Sequence, residues 1–196
     1  MQKKFIILPF IMFFLFTLSA SAETGKSGFV FFPMTDSSFK PHFTVALMGS
    51  SISPTSSDAT QTSSSSASGV EISLDCPWFQ LGKNPLRQQI SIQTYANELE
   101  NLTSVEFNPH YYLVNIDKKY LVGFGPGFGW LQSSATNSIT NETTSNTFFT
   151  VQYGLSVDIN LGNIHLGLES RELISQVKAG KYLENSRNAL KLGFNF

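Results

Sequence analysis

The sequence predicts an all-β protein, an eight-stranded antiparallel up-and-down transmembrane β-barrel, and three observations lead to that fold class. Apolar residues alternate with polar or small ones through most of the chain, and the side chains of a β-strand point alternately to its two faces. Beyond residue 18, no apolar run approaches the roughly 20 residues that a membrane-spanning helix needs. The last ten residues form an apolar strand, whereas the ends of soluble domains are usually polar.

The first 22 residues predict a secretory signal peptide. Lys3 and Lys4 supply a positive start, residues 5–18 are apolar, and small residues lead to a cleavage site after Ala22. An uncleaved membrane anchor is the alternative, but the apolar run is short for one. We therefore expect an exported protein whose mature chain begins at Glu23.

Residues 23–38 predict a lead-in segment before the barrel. The stretch 29–32 is apolar, but Pro33 follows at once, and proline interrupts a sheet ladder. Two other interpretations stay open: an extra strand, or a piece packed in the mouth of the barrel.

Charge and cysteine content exclude some classes of function. The formal net charge is −1 and the basic residues are scattered, so nothing indicates a nucleic-acid partner. Cys76 is the only cysteine, which rules out an intrachain disulfide, and its parity assigns it to the apolar face of its strand.

Eight segments carry the alternating pattern of a half-buried strand. Short polar turns at Asp117 and Gly162 alternate with long Ser/Thr-rich loops at about 50–68 and 132–146, as in membrane barrels with short turns at one end. A further turn is predicted at 77–85. The predicted strands are, in order, about 39–48, 69–76, 86–96, 102–116, 120–130, 147–159, 164–174 and 187–196.

Two of these strands have unusual patterns. In the fourth, apolar residues change parity, and we place a phase-flipping bulge near Asn108 and Pro109. In the fifth, four alternate glycines leave one face without side chains, which makes room for bulky residues of the facing wall. A phosphate-binding loop is strongly disfavoured there, because it needs G-x-G-x-x-G spacing and a following helix.

The last strand carries the most specific signal. Leu190, Leu192, Phe194 and Phe196 share one face, and the chain ends on the aromatic residue. This pattern resembles the carboxy-terminal assembly signal of bacterial outer-membrane barrels. The whole pattern resembles the small eight-stranded outer-membrane β-barrel proteins of the OmpA/OmpX type, a porin-like family.

That resemblance implies a location and partners. It divides the chain into a cleaved signal peptide at 1–22, a periplasmic lead-in at 23–38 and an outer-membrane barrel at 39–196. The expected partners are outer-membrane lipid, the barrel-assembly machinery and an unidentified surface ligand of the external loops. Aromatic residues near strand ends, such as Tyr120 and Trp130, resemble interfacial girdles.

Charged residues of both signs fall on the parity opposite the apolar one. An eight-stranded barrel is just wide enough for side chains to fill, so charges in its lumen must pair. We predict a structural polar network, with a narrow ion path or acid–base catalysis as sharper alternatives. Its predicted members are Glu71, Asp75, Arg87, Glu106, Asp158, Glu169, Arg171, Arg187 and Lys191.

The three histidines do not predict an enzyme. His42, His110 and His165 lie on different predicted strands without metal-ligand spacing, and none is part of a His-x-Ser pair of the kind used by lipid-modifying barrel enzymes. We expect no catalytic residue, metal or cofactor. The leading hypothesis is a structural or surface-interaction barrel. The alternatives are a porin-like channel, a lipid-modifying enzyme, or a soluble lipocalin-like binder.

Overall fold

A computed structural model describes residues 28–37, 39–56, 65–82, 84–96, 100–136, 143–175 and 183–196. The predicted signal peptide and its cleavage site lie outside these residues. A short 3-10 turn at Pro33–Thr35 follows the first strand, and no helix in the described ranges is long and apolar enough to cross a membrane. The strands are β1 (Phe29–Phe31), β2 (Phe43–Ser56), β3 (Ser65–Leu81), β4 (Asn84–Ala96), β5 (Glu100–Phe107), β6 (His110–Ile116), β7 (Tyr120–Thr136), β8 (Thr143–Leu161), β9 (Ile164–Ser175) and β10 (Leu183–Asn195).

The strands close into an antiparallel ring of eight positions. Each long strand pairs with its chain neighbours, and β10 pairs with both β9 and β2, which closes the barrel. β5 and β6 occupy one position between β4 and β7. The predicted fold class, an eight-stranded up-and-down barrel, is confirmed.

The ring is sheared, as closure requires. Following hydrogen-bonded partners once around the barrel from Val45 leads back to β2 at Thr55, ten residues further along the same strand. Two residues that are hydrogen-bonded partners on neighbouring strands therefore lie at different heights along the barrel axis, and the difference is about one residue per strand.

The fourth predicted strand changes phase later than expected. The ladder is interrupted between β5 and β6, yet Asn108 still exchanges backbone hydrogen bonds of 3.2 and 2.7 Å with Gln89. The buried parity continues to Tyr112, and the register shifts between Tyr112 and Val114. The predicted phase flip near Asn108 and Pro109 was wrong, because backbone pairing continues through Asn108 and holds the parity.

Most strands run further than their apolar pattern suggested. β2 continues to Ser56 and β3 starts at Ser65, inside the predicted loop, and β7 and β8 extend in the same way into 132–146. The predicted turn at 77–85 is also mostly strand. Ladder hydrogen bonds join backbone groups and need no apolar period, and threonine favours extended backbone.

The lead-in segment contributes an extra strand, one of the two alternatives left open. β1 pairs with the end of β3, from Phe29 opposite Leu81 to Phe31 opposite Phe79. It takes the place of β2 in the ladder, because β2 begins only at Phe43, opposite Leu74. The chain then leaves the ladder at Phe32, whose φ of 55° is left-handed.

Cys76 lies where the β3 ladder becomes irregular. Pairing between β3 and β4 slips after Asp75 and resumes at Gln80. The sequence assigned Cys76 to the exposed apolar face, but its side chain is buried, with Gln88 Nε2 3.3 Å from Sγ.

The alternate glycines of β7 make room for the backbone of the neighbouring β5–β6 position. The predicted role, room for side chains of the opposite wall, is not what the contacts show. A Cβ at Gly125 would collide with the carbonyl oxygen of Pro109, and one at Gly129 with that of Val105. Glycine is thus required here for the close approach of the β5–β6 backbone.

Candidate functional site: the barrel interior

The strand alternation separates a polar interior from an apolar outer surface. All nine charged residues predicted for the lumen are buried, while the four residues of the predicted assembly signal are exposed, up to 76% for Phe196. The interior network therefore comes from many strands, because each strand contributes every second residue.

Lys191 is the centre of the network and has no exposed surface. Its Nζ lies 2.6 Å from Glu71 Oε2 and 2.7 Å from Glu169 Oε2. Arg171 Nε donates to Glu169 Oε1 at 2.5 Å. Glu169 thus bridges two cations, and the cluster joins β3, β9 and β10.

Arg187 and Glu106 form a second, two-point ion pair across the barrel. The guanidinium Nη1 and Nη2 donate to the two carboxylate oxygens at 2.7 and 2.9 Å. Arg187 Nη2 also lies 3.6 Å from Glu169 Oε1, which connects this pair to the Lys191 cluster. Bidentate geometry fixes orientation as well as charge, so this contact ties β5 to β10 specifically.

Asp158 gathers a third group nearer the short turns. Its Oδ2 accepts hydrogen bonds from Tyr112 Oη at 3.0 Å and Ser156 Oγ at 3.2 Å, and its Oδ1 lies 3.5 Å from His165 Nε2. His165 Nδ1 lies 3.0 Å from Asn160 Oδ1. Tyr112 was missed as an interior residue, because the phase flip was placed too early in its strand.

The remaining two charged residues lie close to the start of β2. Arg87 Nε donates to Ser73 Oγ at 3.0 Å and Arg87 Nη2 donates to Thr44 Oγ1. Asp75 Oδ2 accepts the backbone N–H of His42 at 3.1 Å. The predicted residues are therefore distributed along the lumen in linked groups and do not converge on a single reaction centre.

An apolar cluster covers the network toward the long-loop end, and sequence reasoning missed it. Its members are all buried and come from strands on every side of the ring. Two of them fell in a predicted loop, but extending the strand parity into that loop would have placed them inside. They are Ile52, Ala67, Leu102, Leu131 and Leu173.

A small cavity lies between this apolar cluster and the ion pairs. A cavity of about 10 Å³ is lined by Ile52, Leu102, Leu131 and Leu173 on one side and by Arg187, among other polar residues, on the other. That volume holds about one water molecule.

All three histidines are buried or half-buried in the barrel. His110 is fully buried with Nδ1 3.1 Å from Arg171 Nη2, and His42 is half-buried. Within the part of the chain that the structure describes, no group of three His, Cys, Asp or Glu side chains is arranged to hold a metal ion.

Solved structures with a similar fold include those of three outer-membrane or surface proteins. Neisserial surface protein A is 13% identical with a TM-score of 0.54, and the match covers 76% of this chain and 96% of that chain. Ail, the attachment invasion locus protein of Yersinia pestis, is 9% identical with a TM-score of 0.51, covering 81% and 100%. A major outer membrane protein from Thermus thermophilus is 10% identical with a TM-score of 0.50, again covering 81% and 100%.

The similarity is confined to three-dimensional structure. No protein-family model and no curated protein matches the sequence. Together with the closed ring described above, these matches show that the chain has the fold of the small eight-stranded outer-membrane β-barrels.

Proposed function

We propose that the protein is an integral outer-membrane β-barrel with a sealed interior, which holds external loops at the cell surface. Its outer face supports the location: alternate residues of every long strand are exposed and predominantly apolar, as lipid contact requires. A closed barrel also leaves no strand edge unpaired in hydrocarbon. The signal peptide cleaved after Ala22 would deliver the chain across the inner membrane.

The single observation that supports a sealed interior is that ion pairs and an apolar cluster fill the narrow lumen one above the other. Ion pairs cross the barrel in its lower and middle parts, and the apolar cluster around Leu102 and Leu131 lies above them. An eight-stranded interior is just wide enough for side chains to fill. We therefore infer that the filled lumen stabilises the barrel, and a porin-like channel for ions or solutes is disfavoured.

We further propose that the protein is not an enzyme. The buried carboxylates pair with cations, hydroxyl donors or, for Asp75, a backbone N–H, and His110 and His165 lie against polar partners inside the wall. Acid–base work needs a group that reaches a substrate. Buried, mutually paired groups of this kind are better suited to holding the strands together than to acid–base catalysis.

The proposed partners follow from the surfaces. Outer-membrane lipid contacts the apolar face, and the barrel-assembly machinery recognises the exposed terminal residues Phe194 and Phe196. An unidentified surface ligand contacts the Ser/Thr-rich external loops, of which residues 57–64 and 137–142 lie outside the described ranges. Nucleic acid is not a partner.

Membrane fractionation combined with a heat-shift gel tests the location. The protein should sediment with outer membranes, resist extraction by carbonate, and migrate differently before and after boiling in detergent. A soluble periplasmic species without a heat shift would contradict the proposal and favour a lipocalin-like binder.

A further inference from the structure

Polar and small residues form a patch on the outer face of β9, β10 and β2, toward the long-loop end. Asn188 of β10 lies opposite Ser170 of β9 and opposite Ser51 of β2, so these three form one row across the wall. In the next outward row, Glu172 Oε1 accepts a hydrogen bond from Ser186 Oγ at 2.8 Å. The members of this outer polar patch, all exposed or half-buried, are Gly49, Ser51, Ser170, Glu172, Ser186 and Asn188.

The neighbouring strand β8 is apolar at the same height. Tyr153 lies opposite Glu172, and Val151 lies opposite the outward-facing Ile174. Hydrogen-bonded partners differ in height by about 1.25 residues per strand, so Glu172 lies slightly below Val151 along the barrel axis. The outer polar patch therefore begins abruptly at the boundary between β8 and β9, and apolar residues lie beside and above its carboxylate.

No inclination of the barrel removes the patch from hydrocarbon. On β8, the outward apolar row from Ile159 to Phe149 is roughly 25 Å tall, at 3.3 Å per residue and a tilt of about 40°, which matches the apolar band of such barrels. On β9, the continuous apolar row stops at Leu168, roughly 15 Å lower than Phe149. A rigid inclination cannot produce such a step between strands about 5 Å apart.

Polar groups at this depth need partners that hydrocarbon does not supply. A carboxylate facing lipid is costly, and intramembrane acidic residues therefore indicate functional contacts. Ser186 donates one hydrogen bond to Glu172, whereas a carboxylate can accept about four. An open groove of about 650 Å³ in the same wall offers space for the side chains of a partner; its lining includes Gly49, Leu168, Ser170, Asn188 and Leu190.

We propose that the outer polar patch is the interface of a homodimer within the membrane, with a twofold axis parallel to the barrel axis and in front of Asn188. The proposal rests on the outer-membrane location proposed above. This axis places β10 against β10 of the second copy and β9 against β2 of the second copy, as a twofold interface requires. Asn188 then meets its own counterpart, and an amide can both donate and accept hydrogen bonds.

The heights of the residues match across this axis. Ser51 lies within about half a residue of Glu172 along the barrel axis, so each carboxylate meets a hydroxyl donor of the other copy. Lower down, Leu47 lies within about half a residue of Leu168, so apolar residues meet apolar ones. The two carboxylates stay one strand to either side of the axis. Because the patch holds both donors and acceptor at matching heights, it fits a second copy of this chain.

The wall is large enough for a specific contact. Three strands about 6.5 Å apart around the circumference and about 25 Å tall give roughly 500 Å² per copy, or about 1,000 Å² in total, the lower end for a specific interface. Gly49, Ser51 and Ser170 have small side chains, which let two membrane-embedded walls approach closely.

Cysteine cross-linking of the protein in vesicles tests the interface. Asn188→Cys places a thiol on the proposed axis, whereas Val105→Cys places one on the outer face of β5, four positions away in the ring. Both variants also carry Cys76→Ser, so that the native thiol takes no part. Each is folded into phosphatidylcholine vesicles at low protein density and treated with copper phenanthroline, which enters lipid. Vesicle flotation and a non-reducing gel are then compared.

We expect most of the Asn188→Cys variant, and little of the Val105→Cys variant, to form a disulfide-linked dimer. Equal or absent cross-linking of the two in folded protein that floats with the vesicles would overturn the dimer and leave the membrane location intact. Folded protein that does not float with the vesicles would overturn the location itself.

Glu172→Leu distinguishes a contact with a second copy from a contact with lipid, because leucine suits lipid better than a carboxylate does. In density-matched detergent micelles, sedimentation equilibrium should give a dimer dissociation constant raised about tenfold, since two symmetry-related contacts are lost and each contributes a factor of about three. Thr94→Leu is the control, an outward polar residue on β4, which faces β9 across the barrel; it should leave the constant unchanged. Equal constants for the two variants, or a monomeric parent protein, would overturn the proposal.

Discussion

Replacing Lys191 by methionine tests the buried network most sharply. Its ammonium lies 2.6 Å from Glu71 and 2.7 Å from Glu169, and all three side chains are buried. Glu169 keeps Arg171 at 2.5 Å after the substitution, whereas Glu71 loses the only cation with which it pairs among the described contacts. One carboxylate is therefore left without a counter-charge.

Removing one member of a buried ion pair costs about 3–5 kcal/mol, because the other member stays buried and uncompensated. We expect Lys191→Met to lower the free energy of unfolding by about that amount. Urea unfolding in lipid vesicles, followed by tryptophan emission and by the gel shift on heating, measures it. The double variant Lys191→Met/Glu71→Gln should recover much of the loss, because the unpaired carboxylate is then gone.

Leu192→Met is the matched control, because Leu192 is the next residue of β10 and is exposed on the outer face. It should change the unfolding free energy by less than about 1.5 kcal/mol, as volume-conserving apolar substitutions usually do. A loss for Lys191→Met no larger than that of the control would refute the reasoning. A double variant less stable than the single one would refute it as well.

Three further variants test the terminus, the outer face and the glycine contact. Phe196→Ser should reduce outer-membrane assembly more than synthesis, and Phe196→Tyr should not; equal assembled levels of the two would argue against a terminal signal. Leu155→Arg should lower the unfolding free energy by about 2–4 kcal/mol, as for arginine at the midplane of such barrels; Leu155→Met is its control, and equal stability of the two in urea titration would mean that this face does not contact lipid. Gly125→Val should prevent a heat-shifted folded form because its side chain meets the Pro109 carbonyl, while Gly49→Ala, with open space around the added Cβ, should fold normally.

Strand parity made the barrel predictable. Residues such as Val151 and Gln152 alternate so regularly that the inner and outer faces can be read from the chain, and the structure exposes the first and buries the second. The terminal pattern ending at Phe196 indicated an apolar last strand, and in the structure Phe196 pairs with Phe43 through backbone hydrogen bonds.

Strand length and interior composition were less predictable. Ser56 and Ser65 extend β2 and β3 through backbone pairing, which side-chain hydropathy does not report. Ile52 and Ala67 therefore appeared to lie in a loop, and the apolar cluster above the ion pairs was missed. Partners of charged side chains also depend on register and shear, so the pairing of Lys191 with Glu71 was not readable from the sequence.

The short strand β1 shows a different limit. Pro33 indicated correctly that no long strand continues there, but pairing with β3 depends on where β2 begins. That boundary is set by ring closure, in which Phe43 meets Phe196, and closure involves residues distant in sequence.

Conductance of the purified, refolded protein in a planar lipid bilayer tests the central claim, a barrel sealed by its own side chains. Among the described residues, a cavity of about 10 Å³ lies between the ion pairs and the apolar cluster, and side chains can fill an eight-stranded interior, so we predict insertion without steady conductance steps. Large, stable, reproducible open steps from the unmodified protein would contradict the account and establish a porin-like channel instead.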